Sequence, residues 1–62
     1  MRIRFSVIPA GEEVSINEEI EINCSYQDIG FHYKVMTEIF RLYPGGQVVG
    51  YGKGEAEGEE AV

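Results

Sequence analysis

A chain of 62 residues has room for one domain and one modest core, because a fold this small hides only about 60% of the surface its unfolded form exposes. Its apolar fraction of 44% is too high for a wholly disordered chain, and no apolar run approaches the roughly 18 residues of a membrane helix. Eleven acidic residues against five basic ones give a net charge of -6 with no cluster of Lys and Arg, so neither direct nucleic-acid binding nor docking on an anionic membrane is expected.

The N-terminal Met1-Arg2-Ile3-Arg4-Phe5-Ser6-Val7-Ile8 has a basic start, but Pro9 interrupts its short apolar stretch. A secretory leader needs a longer apolar centre and a small-residue cleavage site. A cytoplasmic location is the expectation. Ile3, Phe5 and Val7 alternate with Arg2, Arg4 and Ser6, the pattern of a half-buried strand. Pro9-Ala10-Gly11 reads as a turn.

Next, Val14, Ile16, Ile20, Ile22, Cys24 and Tyr26 hold the even positions, while Ser15, Asn17, Glu19, Glu21, Asn23 and Ser25 hold the odd ones. Such a period of two belongs to an extended chain, and the β-branched residues agree. Glu18 alone breaks the pattern, which predicts a bend near Asn17-Glu18-Glu19.

From Gln27 to Tyr43 two periods compete. Ile29, Tyr33, Met36, Phe40 and Tyr43 form a helical stripe, with Ser25 as a candidate N-cap and Pro44-Gly45-Gly46 as a stop. Phe31, Tyr33, Val35, Thr37 and Ile39 instead share one face of a strand. Gly30 inside a helix costs about 1 kcal/mol relative to Ala, and aromatic and β-branched residues favour a sheet. Propensity therefore favours the strand, with Tyr43-Pro44-Gly45-Gly46 as a hairpin tip.

Gln47 to Lys53 reads as a last strand in which Gly50, Gly52 and Gly54 leave one face bare and Val49, Tyr51 and Lys53 occupy the other. The expected fold is all-β, a small antiparallel meander or barrel-like sheet of about four or five strands over residues 1–54, with an acidic, flexible tail at 55–62. The alternative is α+β, three strands with one helix at about 26–43.

No residue set carries recognisable chemistry. His32 is the single histidine, and no spacing ties Asp28, Glu38, Cys24 or Ser25 to it as a catalytic partner. Cys24, the single cysteine, lies among apolar positions and lacks the environment of a reactive thiolate. Adjacent glutamates such as Glu12-Glu13 and Glu18-Glu19 do not close around a metal ion as calcium requires. Gly50-Tyr51-Gly52-Lys53-Gly54 lacks both the following Ser or Thr and the following helix of a phosphate loop. No enzymatic activity, cofactor or metal is expected.

Four tyrosines are many for so small a chain, and tyrosine suits interfaces because its ring packs while its hydroxyl stays wet. Tyr33, Tyr43 and Tyr51, with Glu19 and Glu21 as an acidic rim, are the expected partner contacts. A small core without disulfide or metal staples favours association, so a homo-oligomer is expected as well. The composition thus points to a small acidic protein-protein interaction or assembly module whose partner is another protein, a basic one being the easiest fit. The alternative is a nucleic-acid-mimicking inhibitor that sets Glu12, Glu13, Glu19, Glu21 and Glu38 into the basic groove of a DNA- or RNA-binding protein.

Overall fold

Strand β1 (Arg2–Ile8) is the central strand of a three-stranded antiparallel sheet in the computed structural model, which describes residues 1–54. The tail expected at 55–62 lies outside the described residues. β2 (Ile16–Glu21) and β3 (Gln47–Lys53) flank β1, and helix α1 (Phe31–Leu42) lies between them in sequence. The chain order is therefore ββαβ, and both outer strands are sheet edges.

Alternation in β1 decides which face is covered. Ile3, Phe5 and Val7 are buried and meet Phe31, Val35 and Ile39 of α1, with Ile20 and Ile22 completing the core. Arg2 and Arg4 point away from the helix, as period-two geometry requires.

The all-β expectation fails at residues 31–42, where the chain is helical, and the α+β alternative describes the molecule. The reason lies in layer packing. A three-stranded sheet with one apolar face needs a second layer, and a helix supplies it by burying Phe31, Val35 and Ile39 at intervals of four. As a strand, the segment would have placed Tyr33 and Thr37 beside those three, whereas on the helix both turn to solvent. Gly30 does not oppose the helix, because it is the N-cap and not an interior residue. Its φ of 86° is a left-handed conformation that favours glycine. Ser25 does not cap α1 but accepts a turn hydrogen bond from Asp28 N–H at 3.1 Å. Arg41 in the last turn complements the helix dipole and pairs with Glu38 at 2.9 Å.

β2 is shorter than its alternation suggests. Ile20 and Ile22 are buried and Glu19 and Glu21 exposed, as expected, but Val14 and Tyr26 fall outside the strand and are exposed. The expected bend near Glu18 is also absent. β2 runs straight through it, with Glu18 opposite Phe5 in register and near enough to Tyr43 to raise the tyrosine pKa. Glu18 is exposed although it shares the register of a core residue, so its carboxylate stays solvated and the strand continues without a break.

β3 has the bounds its sequence predicts, with one irregularity. Gly50 pairs with Ser6 and Val48 with Val7, so Val49 is an extra residue in a bulge. Tyr51 opposite Phe5 and Lys53 opposite Ile3 share the helix side. Gly50 and Gly52, opposite Ser6 and Arg4, form a bare lane on the outer face. At its end a Cβ on Gly54 would lie 2.9 Å from Arg4 Cγ, so the group that uses the bare lane there is Arg4 of the same chain. Pro44-Gly45-Gly46 joins α1 to β3 and is not a hairpin tip. Gly46 N–H donates to Tyr43 C=O at 3.0 Å, with Gly45 at a φ of 81°.

Candidate functional site

The five expected contact residues separate into three places. Tyr33 lies on the solvent side of α1 and is 74% exposed. Glu21, at the end of edge strand β2, has a side chain 72% exposed and pairs with the N-terminal amine at 3.0 Å. These two line one open groove of about 380 Å³ between α1 and the end of β2, together with Ile22, Asn23, Lys34, Thr37 and Glu38. The structure brings Tyr33 and Glu21 together.

Tyr43, Tyr51 and Glu19 are elsewhere. Tyr43 is half-buried at the C-cap of α1, its ring edge-on to Phe5 at 6.2 Å. Tyr51 is half-buried on the helix side of β3, 6.3 Å from the Phe31 ring and 5.4 Å from His32, whose Nδ1 is hydrogen-bonded to the Tyr51 hydroxyl. Tyr26 extends this cluster edge-on to Phe31 at 5.0 Å, with Lys53 Nζ 5.5 Å from its centroid. Glu19 lies on the outer sheet face, 3.1 Å from Arg4 and 3.7 Å from Arg2. Two of the three tyrosines therefore pack against the core, and Glu19 serves cross-strand pairing.

The groove is built from local rules. Tyr33 and Thr37, and beside them Lys34 and Glu38, are spaced by four and so form adjacent ridges along α1. Ile22 follows β2 and is held in place by its N–H, which donates to Met1 C=O at 2.9 Å. Lys34 Nζ lies 3.5 Å from Asp28, and Glu38 is already engaged by Arg41. Exposed pairs of this sort contribute about 0–1 kcal/mol and exchange readily for a partner's charges. Two carboxylates against one ammonium leave the lining mildly acidic. Thr37, Lys34, Glu38, Ile22 and Asn23 escape a strand reading of 31–42, because only helical spacing gathers them.

Two tyrosines have raised pKa values. Tyr43 is pushed up first by its hydrogen bond to Glu18, then by burial, then by the Glu18 charge. Tyr51 is pushed up by burial and secondarily by Tyr26. A raised pKa in the folded state means that this contribution to stability is complete below the ordinary tyrosine value of 10.0 and is lost as pH climbs through the folded value. Thermal unfolding temperature is expected to drop as pH rises above about 10, and the drop should be shallower in a Tyr43→Phe, Tyr51→Phe double variant. Parallel curves for the two proteins would contradict the Glu18–Tyr43 contact.

Among the described residues no three or more of His, Cys, Asp and Glu are grouped as metal ligands would be, and no described helix is long and apolar enough to cross a membrane. Cys24 is half-buried against the core. No family model, curated protein or solved structure matches the chain.

Proposed function

We propose that the chain is a small acidic protein-protein interaction or assembly module of the cytoplasm, without catalytic activity, and that the groove between α1 and β2 receives a basic segment of its partner. The observation that supports this reading is the position of Tyr33. A tyrosine left 74% exposed on a helix, in a groove that it lines together with apolar Ile22 and the carboxylates of Glu21 and Glu38, matches what a Lys or Arg side chain packs against.

Placement weighs against the nucleic-acid mimic. Such an inhibitor needs its carboxylates laid out along one surface, yet Glu19 lies with Arg2 and Arg4 on the outer sheet face while Glu21 and Glu38 line the groove beside α1. Glu12 and Glu13 are in the connection between β1 and β2.

The test is affinity capture from the native source with the parent chain and with a Tyr33→Ala, Glu21→Lys variant. A specific partner retained by the parent should be lost from the variant, with binding weakened by at least about tenfold, the effect of truncating a hot-spot aromatic. Equal retention by both chains overturns the groove. Release of the partner by short duplex DNA would favour the mimic instead.

A further inference from the structure

β2 is an edge strand, and its end borders the groove that Tyr33 lines. Met1 and Ile22 exchange backbone bonds, Ile22 N–H donating to Met1 C=O at 2.9 Å and the terminal amine to Ile22 C=O at 2.6 Å. Antiparallel ladders alternate, so Ile20 opposite Ile3 and Glu18 opposite Phe5 also turn their backbone groups toward β1. Asn17, Glu19 and Glu21 turn theirs to the open side. Among the described residues no strand covers that side. The register of β2 with β1 is unbroken, whereas β3, the other edge, is interrupted by its bulge.

We propose that a basic, extended segment of a partner protein adds to β2 as a fourth, antiparallel strand and passes alternate side chains toward α1 and its groove. The inference rests on the groove reading above. It adds how the segment is held, by backbone bonds to Asn17, Glu19 and Glu21.

Charge fits this occupant. β2 carries Glu18, Glu19 and Glu21, all exposed, and no cation. The cations that pair with Glu19 and Glu21 are Arg2, Arg4 and the terminal amine, all on the β1 side, about 4.8 Å farther from the open side. An approaching strand therefore meets carboxylates first. They attract Lys and Arg and turn away acidic strands, a second copy of net charge -6 among them. Alternation then assigns each position. Across from Glu21 and Glu19 the incoming side chains lie on the outer sheet face, where a Lys or Arg pairs with each carboxylate. Across from Ile22 and Ile20 they lie on the helix side. An apolar residue suits the place beside Ile20, which belongs to the core. Across from Ile22 a Lys or Arg enters the groove that Tyr33 and Glu38 line, its stem on the ring and its head at the carboxylate.

The test uses the full chain and the synthetic peptide acetyl-Arg-Lys-Val-Lys-Lys-Thr-amide. Set antiparallel, it places arginine across from Ile22, valine across from Ile20, and its first two lysines across from Glu21 and Glu19. Amide hydrogen exchange followed by NMR should show Glu19 and Glu21 N–H slowed at least about tenfold in the saturated complex. Two N-methylated peptides supply the second readout. Methylating the backbone nitrogens of the first two lysines, which face β2, should weaken binding about tenfold or more. Methylating those of valine and the third lysine, which face away, should change it less than about threefold. Saturable binding without slowed exchange, or equal loss from both methylated peptides, overturns strand addition. The groove reading then stands if Tyr33→Ala still releases the unmethylated peptide. No saturable binding up to about 1 mM also overturns strand addition, and the affinity capture above decides the groove by itself.

Discussion

An Ile39→Ala chain is expected to be strongly destabilised in dilute buffer at 25 °C, while a Tyr33→Ala chain keeps its stability. Ile39 is fully buried, on the stripe that α1 presents to Ile3, Phe5 and Val7. Truncating a buried Ile to Ala costs about 2–5 kcal/mol, the larger figure where neighbours cannot collapse into the space. A domain this size has a total margin of roughly 3–9 kcal/mol at the usual stability per residue, so the loss removes a large share of it. Tyr33 is on the opposite side of the same helix, and alanine there also raises helix propensity. Urea midpoints followed by circular dichroism are the measurement. The pair also discriminates between the two periods of this segment, since a strand would put Tyr33 and Ile39 on one face and make both substitutions costly. Equal losses would mean that α1 does not pack as described.

The strands were legible because a single rule, alternation, acts locally. Ile3, Phe5 and Val7, and later Ile20 and Ile22, are buried where that rule puts them. Residues 31–42 were not legible from propensity, because Phe31, Val35 and Ile39 are common both to a period of two and to a period of four. What separates the periods is the need of a one-sided sheet for a covering layer, a requirement of the whole chain that no window of residues expresses. Gly30 misled for a related reason. Its cost depends on whether it is inside the helix or at its start, and that boundary is fixed by the tertiary stripe beginning at Phe31. The candidate groove was half legible: Tyr33 and Glu21 were recognisable by residue type, but Thr37, Lys34 and Glu38 join them only once the helix is known. Tyr43 and Tyr51 show the limit of reasoning from residue type, since the same amphipathic ring that suits an interface also seals the edge of a small core.

Gly46→Ala is expected to destabilise the domain by about 1–3 kcal/mol, the range for forcing extra volume into a packed site, while Gly50→Ala is neutral or slightly stabilising. The two glycines are close in sequence but differ in surroundings. A Cβ on Gly46 would lie 3.0 Å from Val7 Cγ2 and 3.1 Å from the carbonyl oxygens of Ile8 and Tyr43. Two of those three neighbours are backbone, so no rotamer change relieves the crowding. They also belong to β1 and to the end of α1, which makes the turn at Gly46 the point where helix, central strand and edge strand converge. Moving any of the three disturbs the pairing of Ile8 with Gln47. A Cβ on Gly50 meets nothing within 4 Å, and removing a glycine there lowers the entropy of the unfolded chain, an effect of about 0.4–1 kcal/mol where the backbone tolerates it. Urea midpoints of the two variants should therefore move apart, with Gly46→Ala falling and Gly50→Ala unchanged or higher. If both fell equally, a general strand-propensity effect would account for them, and the close approach of β1 to the α1–β3 turn would lose its support.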